Sequence, residues 1–313
     1  MKPRDWRSRL CLAAAVGLLY LLGACGGGGG GASTADPVAA TPPPATPAPP
    51  VTPPVTPPVT GSAVPAGYTL VWADEFETDG LPDASRWDYD TERNPFGWYN
   101  NELQYYAASR LANSQVIGGR LRITARLESL SIARDWNGQR YTSARLITRG
   151  KAQWTYGFFE VRARLPCGQG TWPAIWMLGT AGTWPDDGEI DIMEQTGQDK
   201  SRVLGTIHNR AYNYFNGTIG VGQGASTALP DACTAFHDYQ LHWTAEEIAI
   251  GVDGVVYFRY PNPRTGRDAW PFDAPHYLLL NIAIGGDLGG AVNDGIFPMT
   301  MEVEHVRVWQ PGP

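Results

Sequence analysis

An all-β fold, a sandwich or barrel of antiparallel strands, is what this sequence predicts, and three observations predict it. Leu121, Ile123 and Ala125 alternate with Arg120, Arg122, Thr124 and Arg126, and Phe159, Val161, Ala163 and Leu165 alternate with Glu160, Arg162 and Arg164. A period of two marks a strand with one buried face. From Tyr68 onward, short apolar runs are punctuated by Gly, Pro, Asn and Asp, and no window of about twelve residues carries a convincing helical period. No repeat of fixed length appears, which argues against a propeller or solenoid. Further strands are expected over 143–149, 173–178, 188–195, 204–208, 239–243, 247–252, 255–259, 276–284 and 300–309. Many antiparallel strands with few helices mean a sandwich or a barrel.

The 313 residues divide into three parts. Residues 1–24 read as an export signal: Lys2, Arg4, Arg7 and Arg9 precede an apolar run from Leu10 to Leu22 that is too short to span a bilayer. The run ends in Leu21-Leu22-Gly23-Ala24-Cys25, which resembles a bacterial lipobox with Cys25 as the lipidated residue. An ordinary signal peptide with an incidental cysteine is the alternative. Residues 25–66 form a tether, with glycine from Gly26 to Gly31 and twelve of the 26 prolines between Pro37 and Pro65. Such a stretch favours extended polyproline II and acts as a semi-rigid spacer. Residues 67–313 are the globular domain. The expectation is an exported bacterial lipoprotein of the cell envelope, monomeric and held to the membrane by its lipid alone. Gly26 after Cys25, with no Asp there, is compatible with the outer membrane. Cys11 leaves with the signal, so Cys167 and Cys233 remain in an oxidising compartment, as a disulfide or as two buried thiols.

The net charge of −7 speaks against nucleic acid, which needs a basic partner, whereas an uncharged polysaccharide is compatible with it. Twelve Trp and fourteen Tyr supply flat faces on which sugar rings can stack, although core packing would also account for many of them. The chemistry concentrates in Glu189-Ile190-Asp191-Ile192-Met193-Glu194. On a strand, Glu189 and Asp191 share one face while Ile190 and Ile192 take the other. Unbroken alternation would send Glu194 into the core, a costly burial for an unpaired charge. One extra residue at Ile192–Met193, a β-bulge, would return it to the face of the other two acids.

Two carboxyl groups flanking a glycosidic bond are the equipment of glycoside hydrolysis, and a separation of about 5–5.5 Å means retention of configuration. A flat strand would hold the two glutamate Cα atoms roughly 13 Å or more apart, so the strand must curve and the side chains must lean together. Glu189 is then the ionised nucleophile and Glu194 the acid and later the base, and no cofactor is needed for the chemistry. Asp191 would hydrogen-bond the nucleophile and push the Glu194 carboxyl upward. An acidic solvent face and a metal site are the competing readings of the same three acids.

With these residues in view, the sequence resembles glycoside hydrolase family 16, and within it the laminarinase-like branch. The resemblance is carried by Val71-Trp72-Ala73-Asp74-Glu75-Phe76, Trp98-Tyr99-Asn100-Asn101-Glu102-Leu103-Gln104-Tyr105, Tyr156-Gly157-Phe158-Phe159-Glu160-Val161-Arg162 and Gly170-Thr171-Trp172-Pro173-Ala174-Ile175-Trp176-Met177-Leu178. It continues through Gly188–Glu194, Gly205-Thr206-Ile207-His208, Leu280–Gly286 and Val303–Trp309. The resemblance implies a β-jelly-roll sandwich of two curved antiparallel sheets with a concave substrate groove. It implies endo-acting cleavage of β-1,3- or mixed β-1,3/1,4-glucan, although bulged relatives also cut agars and carrageenans. It assigns Glu189 as nucleophile and Glu194 as acid/base, places Trp172, Trp176, Asn100 and Arg145 against the sugars, and makes His208 a leaving-side contact. It also implies a structural calcium, with Glu304, Glu75 and the Gly119 carbonyl as the ligands to test. After His208 the chain departs from the family's Gly/Pro-rich turn and runs Asn-Arg-Ala-Tyr-Asn-Tyr. Transglycosylation and a non-catalytic glycan-binding lipoprotein are the rival functions; the presence of all three acids argues against the second.

Overall fold

The computed structural model describes residues 64–219 and 222–312. The expected signal peptide, Cys25 and the tether up to residue 63 lie outside the described residues. The described chain is almost entirely strand: β1 (Tyr68–Asp74), β2 (Asp88–Tyr89), β3 (Gln104–Tyr106), β4 (Ser114–Val116), β5 (Leu121–Leu127), β6 (Tyr141–Ser143), β7 (Arg145–Ile147), β8 (Gly157–Arg164) and β9 (Thr171–Gly179). They continue with β10 (Glu189–Thr196), β11 (Asp199–His208), β12 (Gly224–Ala228), β13 (His237–Trp243), β14 (Glu247–Val252), β15 (Val255–Pro261), β16 (His276–Ile284) and β17 (Met299–Pro311). Two sheets form. One runs β15-β14-β13-β8-β17-β5-β6-β3, with β1 beside β17 and β4 beside β5; the other runs β12-β11-β10-β9-β16-β7-β2. All pairs are antiparallel except β3 with β6. This is the jelly-roll sandwich that the resemblance implied.

The core lies between the sheets and is built by alternation. Leu121, Ile123, Ala125, Phe159, Val161 and Ala163 come from the larger sheet, and Ile175, Met177, Ile190, Ile192, Leu278, Leu280 and Ile282 from the smaller. Side chains of even number on β9 therefore point away from the core, onto the outer face of the smaller sheet. The single strand expected over 143–149 is two. β6 belongs to the larger sheet through β5 and β3, and β7 belongs to the smaller through β16 and β2. The chain changes sheets at Ala144, and every residue from Tyr141 to Thr148 is buried, so no alternation marks the switch. A disulfide joins Cys167 to Cys233, with Cα atoms 5.6 Å apart, inside the range a bridge requires.

The residues named for calcium do not form a cage. Arg307 grips both oxygens of Glu75, at 2.7 and 2.9 Å. Glu304 accepts from Arg120 at 2.9 Å and from Arg162 at 2.8 Å. Each carboxylate oxygen is thus turned to a guanidinium. The arrangement does not fit calcium on those three residues. Next to Glu304 the register of β17 against β8 shifts, between Val303 and His305.

Candidate active site

The bulge in β10 is present. Against β9, Asp191 pairs with Trp176 and Met193 with Ile175, so one residue of β10 has no opposite number. Against β11, Asp191 pairs with Thr206 and Glu194 with Leu204, which again absorbs one residue. Ile192 and Met193 both turn inward, at 1% and 0% exposure, and Glu194 turns out to the face that carries Glu189 and Asp191. A depression on that face is lined by the three acids together with Asn100, Glu102, Arg145, Trp172, Ala174, Trp176, Asn281 and Ala283. The structure therefore brings together the three acids, both tryptophans, Asn100 and Arg145. His208, at the end of β11, lies beside them: its Nε2 is 3.4 Å from Asp191 Oδ2.

Each acid has its own surroundings. Glu189 accepts a hydrogen bond from the indole N–H of Trp184. Asp191 is 3% exposed, and burial, then the negative charges of Glu189 and Glu194, push its carboxyl well above the usual range. Its contact with Glu189 acts in the same direction. Glu194 accepts from Trp172 Nε1 at 2.8 Å and is pushed up to about 7, chiefly by burial. Glu189 and Glu102 add to the rise, while Trp172 and His208 oppose it. The sequence reading gave the upward push to Asp191. The structure gives it to burial first, because a carboxylate kept from water loses hydration that no single neighbour restores.

The groove beyond Trp176 is a polar cage. Trp176 Nε1 donates to Asn281 Oδ1 at 2.7 Å, and Asn281 Nδ2 donates to the Tyr106 hydroxyl at 3.1 Å. The Arg145 guanidinium lies 4.5 Å from the Trp176 ring centroid and 5.0 Å from that of Trp98, within cation–π range. Asn100 sits in a short 3-10 turn, Tyr99–Asn101, with a left-handed backbone. Among the polar and aromatic residues that line or contact the site, Asn281, Glu102 and Trp184 were missed in the sequence. Asn281 had a signal, as the polar interruption of the apolar run Leu278–Ile284. Glu102 stands within the Asn100–Gln104 segment, and burial pushes its carboxyl up. Trp184 had no signal of its own, since its role depends on a loop folding back over β10.

Glu189, Asp191 and His208 also present one donor atom each within 4.8 Å of one another, a spacing that suits a cation as well as a shared proton. The indole N–H that Trp184 already donates to Glu189 favours the second.

Comparison with known proteins gives a consistent result. The family model for glycosyl hydrolases family 16 matches residues 108–296. A β-glucanase of Rhodothermus marinus is 50% identical over 255 residues, covering 78% of this chain and 85% of that protein. Among solved structures, the laminarinase from Rhodothermus marinus superposes with a TM-score of 0.72 at 50% identity, over 78% of this chain and 97% of the other. SCLam, a non-specific endo-β-1,3(4)-glucanase, gives a TM-score of 0.77 at 52% identity, over 80% of this chain and 94% of the other. The chain belongs to glycoside hydrolase family 16.

Proposed function

We propose that this chain is an endo-acting, retaining hydrolase of β-1,3-glucan or mixed β-1,3/1,4-glucan. One observation carries the mechanism: the bulge sets a buried carboxyl that keeps its proton to about neutral pH, Glu194, on the same face as Glu189. In the first step Glu194 gives its proton to the leaving glycosidic oxygen while Glu189 attacks the anomeric carbon and forms a glycosyl ester. In the second step Glu194 takes a proton from water, the water oxygen attacks the same carbon, and Glu189 leaves. Asp191 holds its proton toward Glu189, which orients the nucleophile and keeps two adjacent charges from facing each other. The substrate class is supported by the names of the relatives, β-glucanase, laminarinase and endo-β-1,3(4)-glucanase. Trp172, Trp176, Asn100 and Arg145 hold sugar rings and hydroxyls along the groove. We place the domain outside the cell on a lipid carried by Cys25, supported by the lipobox-like Leu21–Cys25.

The test removes one glutamate at a time. Glu189→Ala opens space opposite the leaving group, so azide should restore cleavage of an activated β-glucoside with inverted, α, configuration. Glu194→Ala leaves the nucleophile, so azide should yield the β product and recover part of a loss of about 10²–10⁴-fold. If the α-azide came from the Glu194 variant and the β-azide from the Glu189 variant, the two roles would have to be exchanged.

A further inference from the structure

We infer that Tyr214 and Phe215, standing with Trp184 beyond β11, form an aromatic shelf that binds the sugar units on the leaving-group side of the cleavage point. The inference rests on the glucanase reading above and adds a subsite to it. Across the smaller sheet, the order β7, β16, β9, β10, β11 sets Arg145, Asn281, Trp176, Glu189 and His208 in sequence. A glucan lying across these strands passes the catalytic acids and arrives over His208. Trp184 stands there, its ring centroid 6.0 Å from the His208 ring and its N–H on the Glu189 carboxylate. The Phe215 ring meets Trp184 edge-on at 5.3 Å, and Tyr214 meets Phe215 at 6.0 Å. Tyr214 is 60% exposed and Phe215 63% exposed, so two large rings lie open to solvent in continuation of the groove.

The loop that carries them is built to hold its shape. Asn209 and Asn213 are buried and knit it from inside: Asn209 Nδ2 donates to the Ala269 carbonyl at 2.9 Å, and Asn213 Nδ2 to the Asn209 carbonyl at 3.1 Å. Arg210 pairs at 3.0 Å with Asp186, tying the loop to the segment that bears Trp184. Rigidly presented exposed aromatics need little ordering on binding, and this makes them effective contacts. The two sides of the groove also differ as their tasks require. The donor sugars must stay bound through the covalent intermediate, and the enclosed cage of Arg145, Trp176 and Asn281 suits them. The leaving product must depart before water enters, and an open shelf releases it. This loop is also where the sequence departs from the family's Gly/Pro-rich turn.

The test is the position of the cut. Laminarihexaose labelled at its reducing end is digested by wild type, Tyr214→Ala/Phe215→Ala and Phe215→Tyr, and labelled products are counted. Losing the shelf removes the reward for placing units on the leaving side. In the double variant the cuts should therefore move toward the reducing end, and kcat/KM on the polysaccharide should fall by roughly two- to tenfold, the range of one to two aromatic contacts. Phe215→Tyr should keep the wild-type pattern, and an unchanged melting temperature shows that the loop still folds. An unchanged cutting pattern in the double variant, or cuts moved toward the non-reducing end, overturns the shelf. A wild type that leaves laminarihexaose, laminarin and lichenan intact overturns the glucanase reading itself, and the shelf with it.

Discussion

Trp172→Phe should raise the alkaline limit of activity. The indole N–H of Trp172 reaches Glu194 Oε1 at 2.8 Å, and it opposes the rise that burial imposes on that carboxyl. A hydrogen bond to a charged group contributes about 1.5–3 kcal/mol. At 1.36 kcal/mol per unit, its loss would raise the Glu194 pKa by roughly one to two units. Water entering the space left by the indole N–H returns part of this, so about one unit is expected. The sign follows from the role: Glu194 must be protonated to act as the acid, so kcat/KM falls as pH rises through its pKa, about 7 in the native enzyme. Moving that limb up by one unit increases the activity at about pH 8, relative to about pH 6, by roughly fivefold. Phenylalanine keeps an aromatic ring in the groove, which confines the change to the lost donor. The assay is the pH profile of kcat/KM on a soluble β-glucan. A limb that stays in place or moves down would refute the idea that Trp172 tunes the acid.

Two further outcomes follow from other parts of the chain. The disulfide closes 66 residues, and the chain-entropy model gives it about 4 kcal/mol of stability, so Cys167→Ser should lower the urea midpoint as reductant does in the wild type. Equal unfolding free energies with and without the bridge would show that it contributes nothing. Cys25→Ala should release the protein from the membrane fraction or stall its processing while the activity of the domain is kept, and metabolic labelling that finds no lipid on the wild type would end the anchor proposal.

What the sequence discloses, and what it withholds, follows from the range of each interaction. Strands such as β5 and β8 are legible because one face is buried and the other charged, and the period is local. The same holds for Trp172 and Trp176, which alternate with Pro173, Ile175 and Met177 on β9. The sheet switch at Ala144 is illegible because a stretch buried on all sides has no period to break. Glu102 and Asn281 reach the groove from segments far apart in the chain and meet only around Tyr106. Glu75 and Glu304 offered oxygen ligands as a sequence. Their arginine partners come from other strands, and cross-strand register is what a single sequence states least.

The bulge in β10 is the exception, since it could be inferred from charge alone, and energetics explains why. With unbroken alternation Glu194 would point into the core opposite Pro173, and Met193, now at 0% exposure, would turn outward opposite Ala174. Burying a lone carboxylate costs several kcal/mol even after relaxation. Burying a methionine side chain gains about 1.5–3 kcal/mol. Against both stands one unpaired ladder position, a net hydrogen-bond loss of about 0.5–1.5 kcal/mol. The balance favours the bulge, so the acids themselves select the register. The selected register also decides the chemistry: it sets Glu194 opposite Ala174 rather than Pro173, on the outward face of β9, within reach of the Trp172 indole. A carboxyl driven out of the core by its charge thereby arrives at a site still dry enough to keep its proton near neutral pH, and that is the state the first step of hydrolysis requires.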